Sequence, residues 1–269
     1  KLSTLCFEGP VEQLTLTEYT QPALVTVATA TTRALKARGL TPAFLAGHSL
    51  GEYSAHVAAG TLAFSDVVRT VRNRGRYMQE AVPVGEGAMA AVIGLDEATL
   101  VKACLEVADG EVVSPANLNA PGQIVIAGNR AAVQRAGARA KELGARRVVP
   151  LAVSAPFHCA LMRPVEERLA LELRSLVVSD PVVPVVANLD AEPKRDAGSA
   201  IEALVRQVTA PVRWEQVVRR LASDGVDTYV EVGSGSVLSG LIRRIDRSAT
   251  VLSASDPESV DEAVSSLAG

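Results

Sequence analysis

Phe44-Leu45-Ala46-Gly47-His48-Ser49-Leu50-Gly51-Glu52-Tyr53 reads as a short apolar strand (43–46) that stops at a glycine, exposes a serine and runs straight into a helical pattern over 52–59. Strand, tight turn and helix around Gly-x-Ser-x-Gly make a nucleophile elbow. The turn is sharp enough that positions two residues either side of the serine are expected to lack a Cβ, which accounts for Gly47 and Gly51. Ser49 then stands at a helix N-terminus. The backbone N–H of Leu50 points where an oxyanion would form, and the helix dipole favours negative charge there.

Composition narrows the field. With 269 residues, 48% of them hydrophobic, the chain can fill a large core, and with only 3% aromatics that core is mostly Ala, Val and Leu. A net charge of −3 without a basic run or an aromatic platform argues against a nucleic-acid partner. No apolar stretch approaches the roughly 20 residues of a membrane span. The opening Lys1-Leu2-Ser3-Thr4-Leu5-Cys6 lacks the pattern of a secretory signal, so a soluble, cytoplasmic protein is expected. Cys6, Cys104 and Cys159 are odd in number and unrelated in spacing, which points away from disulfides and a zinc site. Cys6 and Cys104 read as small buried hydrophobes, and Cys159, beside His158, as structural too.

Along the chain, residues 5–16 read as helix or loop. Residues 17–36 read as a helix whose polar lead ends in Pro22, a first-turn proline, and which Gly39 closes. Helices are predicted over 52–59 and 65–80, the second N-capped by Ser65. The breaker cluster Val82-Pro83-Val84-Gly85-Glu86-Gly87 marks a boundary. Beyond it come a strand (88–95), a helix (96–108), two strands (112–119 and 123–128), a helix (129–144) and a strand (145–153). That β-α-β-β-α-β order is the split βαβ, or ferredoxin-like, pattern. The expected fold is therefore α/β: a large subdomain over 1–84 and 152–269, with a ferredoxin-like one inserted over 85–151. The large part resumes with a loop, Ser154-Ala155-Pro156-Phe157-His158. A helix (161–176), a strand (182–188), helices over 200–208 and 214–224, a strand (228–232) and a helix (237–245) follow.

Ser49 needs a base, and the chain holds His48, His56 and His158. His48 adjoins the serine with its side chain expected to point away, and His56 lies about two helical turns on, where a packing or surface role is expected. His158, in a proline-containing loop at a strand end, is the candidate. A hydrolase of this order would hold its acid between Ser49 and His158. Asp96, Glu97, Glu106, Asp109, Glu111 and Glu142 lie there, but all fall in the inserted part. A backbone or amide oxygen can orient the imidazole instead.

Gly47-His48-Ser49-Leu50-Gly51-Glu52-Tyr53-Ser54, Arg74-Gly75-Arg76-Tyr77-Met78-Gln79, Asn117-Leu118-Asn119-Ala120-Pro121-Gly122-Gln123, Ala155-Pro156-Phe157-His158 and Glu231-Val232-Gly233-Ser234-Gly235-Ser236-Val237-Leu238 together resemble the malonyl-CoA:acyl carrier protein transacylase family over essentially the entire chain. The resemblance implies an α/β-hydrolase-like subdomain, a ferredoxin-like one and an active site between them. It implies ping-pong transfer of malonyl from coenzyme A to a serine ester and then to the phosphopantetheine thiol of acyl carrier protein, in support of fatty acid synthesis. Malonyl-CoA and acyl carrier protein are the implied partners, and no metal or cofactor is expected.

By position in these motifs, Ser49 is the implied nucleophile, His158 the base and Arg74 the grip on the malonyl carboxylate. Read without the family, Arg74 is a solvated helix charge beside Arg69, Arg72 and Arg76. Gln207 matches the glutamine whose backbone oxygen orients the histidine. Leu50, Asn117 and Phe157 are assigned to the substrate, Phe157 because it resembles the malonyl-selecting form of its loop. Ser234 replaces a usual proline, and the family's leading strand and Gly-Gln-Gly-Ser-Gln loop, source of a second oxyanion donor, have no counterpart in these residues. The runner-up reading is a serine thioesterase or esterase, which would need a triad acid and no Arg74. A non-catalytic domain that binds carrier protein stands third.

Overall fold

The computed structural model describes residues 1–153 and 155–267, so Ser154, assigned above to the loop before His158, lies outside the described residues. The fold is mixed α/β. It opens with helices α1 (Leu2–Glu8), α2 (Val11–Leu14) and α3 (Thr17–Ala37), strand β1 (Leu45–Ala46), and helices α4 (Leu50–Ala58) and α5 (Phe64–Glu80). Strand β2 (Gly87–Ile93), helix α6 (Glu97–Val107), strands β3 (Val113–Ala120) and β4 (Gln123–Asn129), helix α7 (Arg130–Glu142) and strand β5 (Arg147–Pro150) come next. A short 3₁₀ turn (Ala160–Met162) leads into α8 (Arg163–Ser175), β6 (Val185–Val186), β7 (Pro193–Lys194), α9 (Ala197–Arg206) and α10 (Trp214–Ser223). The chain closes with β8 (Thr228–Val232), α11 (Val237–Ile245), β9 (Thr250–Ala254) and α12 (Pro257–Leu267).

Several boundaries differ from the sequence reading for tertiary reasons. α3 starts at Thr17, so Pro22 lies inside it rather than in its first turn. The early turns are held from outside: the Glu18 N–H donates to Gln79 Oε1 at 3.1 Å, and α5 lies so close that a Cβ on Gly75 would sit 2.5 Å from the Thr17 carbonyl oxygen. α5 starts at Phe64 with Ala63 in the cap position and no side-chain cap, so Ser65 is a first-turn residue and not the N-cap. β6 is two residues long where seven were expected; Pro181 and Pro184 offer no N–H, which limits the ladder. β7, β9 and α12 went unpredicted. Cys6 is exposed on α1, not buried, whereas Cys104 and Cys159 are buried.

Three sheets organise the strands of the described residues. β1 runs parallel to β6, which pairs antiparallel with β7, while β8 and β9 run parallel with α11 as the crossover. The four strands of 87–150 form an antiparallel sheet in the order β3-β4-β2-β5. One face of that sheet buries α6 and α7 around Leu100, Cys104, Ile126, Val133 and Ala136. The other face, through Met89, Ala116, Val125 and Ala127, packs on Phe157 and Cys159, the residues flanking His158, and on Leu161. β3 is also stitched to the rest of the chain: Leu118 N–H donates to Val212 O at 2.8 Å and Val212 N–H to Ala116 O at 2.9 Å. The largest core joins α3, α4, α5, α8 and α9 around Val25, Tyr53, Val71, Met78, Leu169, Leu173 and Leu204.

The elbow needs one of its glycines more than the other. A Cβ on Gly47 would lie 2.0 Å from the carbonyl carbon of Gly51, whereas a Cβ on Gly51 meets nothing within 4 Å. The symmetrical expectation is corrected accordingly. Gly47→Ala is expected to cost at least ~4 kcal/mol or prevent folding, because backbone and not a flexible side chain must move. Gly51→Ala, in the first turn of α4, should stay within ~1 kcal/mol of the native protein. Thermal denaturation of the two variants checks this; equal losses would show that both glycines are required.

Candidate active site

Because β1 and β6 are parallel neighbours, with Leu45 opposite Val185 and Ala46 opposite Val186, the loops leaving their C-terminal ends emerge side by side. Ser49 lies on the first loop and Asn188 on the second. The Ser49 N–H donates to Asn188 Oδ1 at 2.6 Å, and Asn188 Nδ2 donates to the Gly47 carbonyl at 2.8 Å. These bonds hold Ser49 at φ 52°, ψ −103°, a conformation unfavourable for any residue with a side chain. The Gly51 N–H bonds to His48 O at 2.9 Å and the Glu52 N–H to Ser49 O at 3.2 Å. Ahead of them, Leu50 N–H opens α4 with no acceptor among the described residues.

His158 Nε2 lies 2.7 Å from Ser49 Oγ. Its Nδ1–H donates to the Gln207 backbone oxygen at 2.9 Å, which fixes the tautomer that leaves Nε2 free to accept the serine proton. Burial, with the Arg74 charge second, pushes the imidazole down to about 3, so the ring is neutral near pH 7.

Arg74 is 2% exposed, unlike Arg69, Arg72 and Arg76 on the same helix, which face solvent. One terminal nitrogen donates to Gln21 Oε1 at 2.8 Å; the other donates to Ser49 Oγ at 3.0 Å and to Gln207 Oε1 at 3.2 Å. Its guanidinium carbon stands 5.4 Å from the centre of the Tyr53 ring. Among the described residues no carboxylate lies within ion-pair distance of it. The signal that it is buried was present in the helix: Val67, Val71, Arg74 and Met78 recur at spacings of three and four and share the inward stripe.

Sequence reasoning missed three members of this site. Glu52, wholly buried, accepts at Oε2 from Asn188 N–H (2.9 Å) and from Gln207 Nε2 (2.8 Å), while its Oε1 has no partner among the described residues. Burial pushes its carboxyl up to about 7. Gln207 Nε2 also donates to Ser49 O at 3.0 Å. Asn188 and Gln21 are the other two. A charged residue among the apolar positions of α4, and an amide just past an apolar strand, were the available hints.

The remaining candidates are placed as follows. His48 Nε2 meets Asn119 Oδ1 at 2.8 Å and its ring tilts against Trp214, 5.7 Å away, so this histidine ties the elbow to β3. His56 is buried in α4, where desolvation pushes it down to about 4, and it has no link to Ser49. Asn117 is buried on β3 opposite Val212; it is Asn119, two residues on, that reaches the elbow. Phe157 is half-buried between the large core and the back of the four-stranded sheet.

A serine paired with a backbone-oriented histidine and a buried arginine has clear relatives. The acyl transferase domain model matches residues 1–264. The malonyl CoA-acyl carrier protein transacylase of Salmonella typhimurium is 50% identical over 264 residues, 98% of this chain and 85% of its own length. The solved transacylase of that name from Coxiella burnetii matches with a TM-score of 0.97 at 43% identity, covering 100% of this chain and 85% of that one. A malonyl-transacylase solved in complex with its type II PKS acyl-carrier protein matches with a TM-score of 0.96 at 45% identity, covering 98% and 86%. The chain belongs to the acyl transferase family and, within it, to the malonyl CoA-acyl carrier protein transacylases.

Proposed function

We propose that this enzyme transfers malonyl from malonyl-CoA to the phosphopantetheine thiol of acyl carrier protein through an ester on Ser49, supplying extender units for fatty acid synthesis. The observation that carries the reading is Arg74: a buried guanidinium without a carboxylate partner among the described residues, 3.0 Å from the nucleophile. A buried cation of this kind favours an anion, and malonyl places its carboxylate one methylene from the carbonyl that Ser49 attacks.

Ser49 Oγ adds to the thioester carbonyl as His158 Nε2 takes its proton, held in orientation by Gln207 O. The Leu50 N–H and the N-terminus of α4 stabilise the oxyanion. Collapse breaks the carbon–sulfur bond, and the proton on His158 passes to the departing coenzyme A sulfur. The carrier thiol then gives its proton to His158 and attacks the ester, and Ser49 leaves reprotonated. When malonyl binds Arg74, its carboxylate offsets the cation that lowers His158, so the base strengthens as substrate arrives. Asn117 and Phe157 are assigned to the substrate approach by position, one on β3 beside Val212 and the other directly before the base.

The architecture proposed with this function is an α/β-hydrolase-like subdomain (1–84 and 152–269) and a ferredoxin-like one (85–151), supported by the β3-β4-β2-β5 order, which is that of a split βαβ sheet. The acceptor is a free thiol, so the enzyme is assigned to a reducing compartment, the cytoplasm.

Intact-protein mass after mixing with malonyl-CoA tests the reading. A malonyl-sized increase is expected, lost when carrier protein bearing phosphopantetheine is added and regained as malonyl on the carrier. Release of free malonate without transfer would favour the thioesterase; no increase and no malonate would refute an acyl-enzyme.

A further inference from the structure

We propose that Glu52 is a positioning residue: by accepting from the Gln207 side-chain amide it fixes which end of that amide faces Arg74, and so holds Arg74 at the nucleophile. The inference rests on the reading of Arg74 as the carboxylate clamp.

The Gln207 amide lies between acceptors on one side and a donor on the other. Its Nε2 faces Glu52 Oε2 at 2.8 Å and Ser49 O at 3.0 Å, and its Oε1 faces an Arg74 nitrogen at 3.2 Å. Turned over, the amide would set N–H against guanidinium and oxygen against both a carboxylate and a carbonyl. Glu52 Oε2 is itself pinned by Asn188 N–H at 2.9 Å, and Asn188 Oδ1 holds the Ser49 N–H at 2.6 Å. The sense of donation therefore runs one way, from Asn188 and Gln207 into Glu52, and from Arg74 into Gln207 Oε1 and Ser49 Oγ.

The arrangement also answers how a buried guanidinium is tolerated beside a serine. A carboxylate paired directly with Arg74 would satisfy the cation and compete with an anionic substrate. With Gln207 interposed, Glu52 acts on Arg74 through the amide that it orients and leaves the guanidinium without a direct ionic partner. Glu52 is wholly buried and bonds to no cation in the described residues, so surface charge balance does not account for it.

The test measures acylation of Ser49 by malonyl-CoA and by acetyl-CoA in Glu52→Leu, Glu52→Gln and Arg74→Ala. Glu52→Leu is expected to lower kcat/KM for malonyl relative to acetyl on the order of tenfold, mainly through a higher KM for malonyl-CoA. Glu52→Gln should recover most of that ratio, because an amide oxygen can still accept from both Asn188 and Gln207. In the Arg74→Ala background, Glu52→Leu should shift the ratio no further. Should Glu52→Leu not fold, Gln207→Leu removes the same relay while keeping the backbone oxygen on His158, and the same ratio shift is expected. Equal malonyl and acetyl losses in either leucine variant, or an undiminished shift without Arg74, would overturn the proposal and leave the clamp standing. An unchanged ratio in Arg74→Ala alone would remove the clamp itself, and this inference with it.

Discussion

Ser49→Ala is expected to give no malonyl adduct by intact mass and to lower transfer to carrier protein by roughly 10⁵-fold or more. The serine is 2.7 Å from His158 Nε2 and 3.0 Å from Arg74, and no other hydroxyl is joined to that pair among the described residues. His158→Ala should be nearly as damaging, and the double variant little worse than either single, as expected if Ser49 and His158 act as one nucleophile–base unit. Additive losses would mean that the two work separately. The pH profile adds a check of sign. As the proposed base, His158 would work only while neutral, and burial with the Arg74 charge holds it down to about 3. In the free enzyme, kcat/KM should therefore pass through pH 6.5 without the inflection of an ordinary histidine, its acid limb lying below. Removing the Arg74 charge lets His158 rise and moves that limb upward.

Arg74→Ala is expected to lower kcat/KM for malonyl-CoA by roughly 10²- to 10³-fold, from two charge-assisted hydrogen bonds of about 1.5–3 kcal/mol each, part of which is already spent on Gln21 and Gln207 in the free enzyme. Acetyl-CoA has no carboxylate to lose, and its transfer should fall by no more than about threefold or should improve. Arg74→Lys should restore malonyl only partly, since an ammonium cannot offer the planar two-pronged grip. Steady-state transfer with both thioesters decides the matter: parallel losses would show that Arg74 supports Ser49 and does not select the acid.

How much of this was legible before coordinates follows from the range of the interactions. The elbow is local, and strand, glycine, serine and helix all lie within about ten residues, so its reading rested on neighbours in sequence. β8 and α11 were read at the bounds they adopt, one a short apolar run and the other an apolar stripe after Gly235. β9 was missed because Thr250-Val251-Leu252-Ser253-Ala254 has only a weak apolar pattern; its pairing with β8 supplies what the residues do not. Arg74 was assigned to the substrate through family resemblance, and its own neighbours read as a solvated face; burial against α3 made the difference. Glu52, Asn188 and Gln21 were not singled out, since each acquires its role from a partner at least 50 positions away.

The four-stranded sheet packs its rear face, through Met89, Ala116, Val125 and Ala127, on Cys159 and the residues flanking His158. Those four side chains support the segment that carries His158. A shift of that face is expected to move His158 against Ser49 across the 2.7 Å between Nε2 and Oγ, a distance that proton transfer feels steeply. Small apolar exchanges on this rear face are thus a route by which rate can change, and a turnover altered by a change at Ala116 or Val125 would have its origin in the alignment of His158.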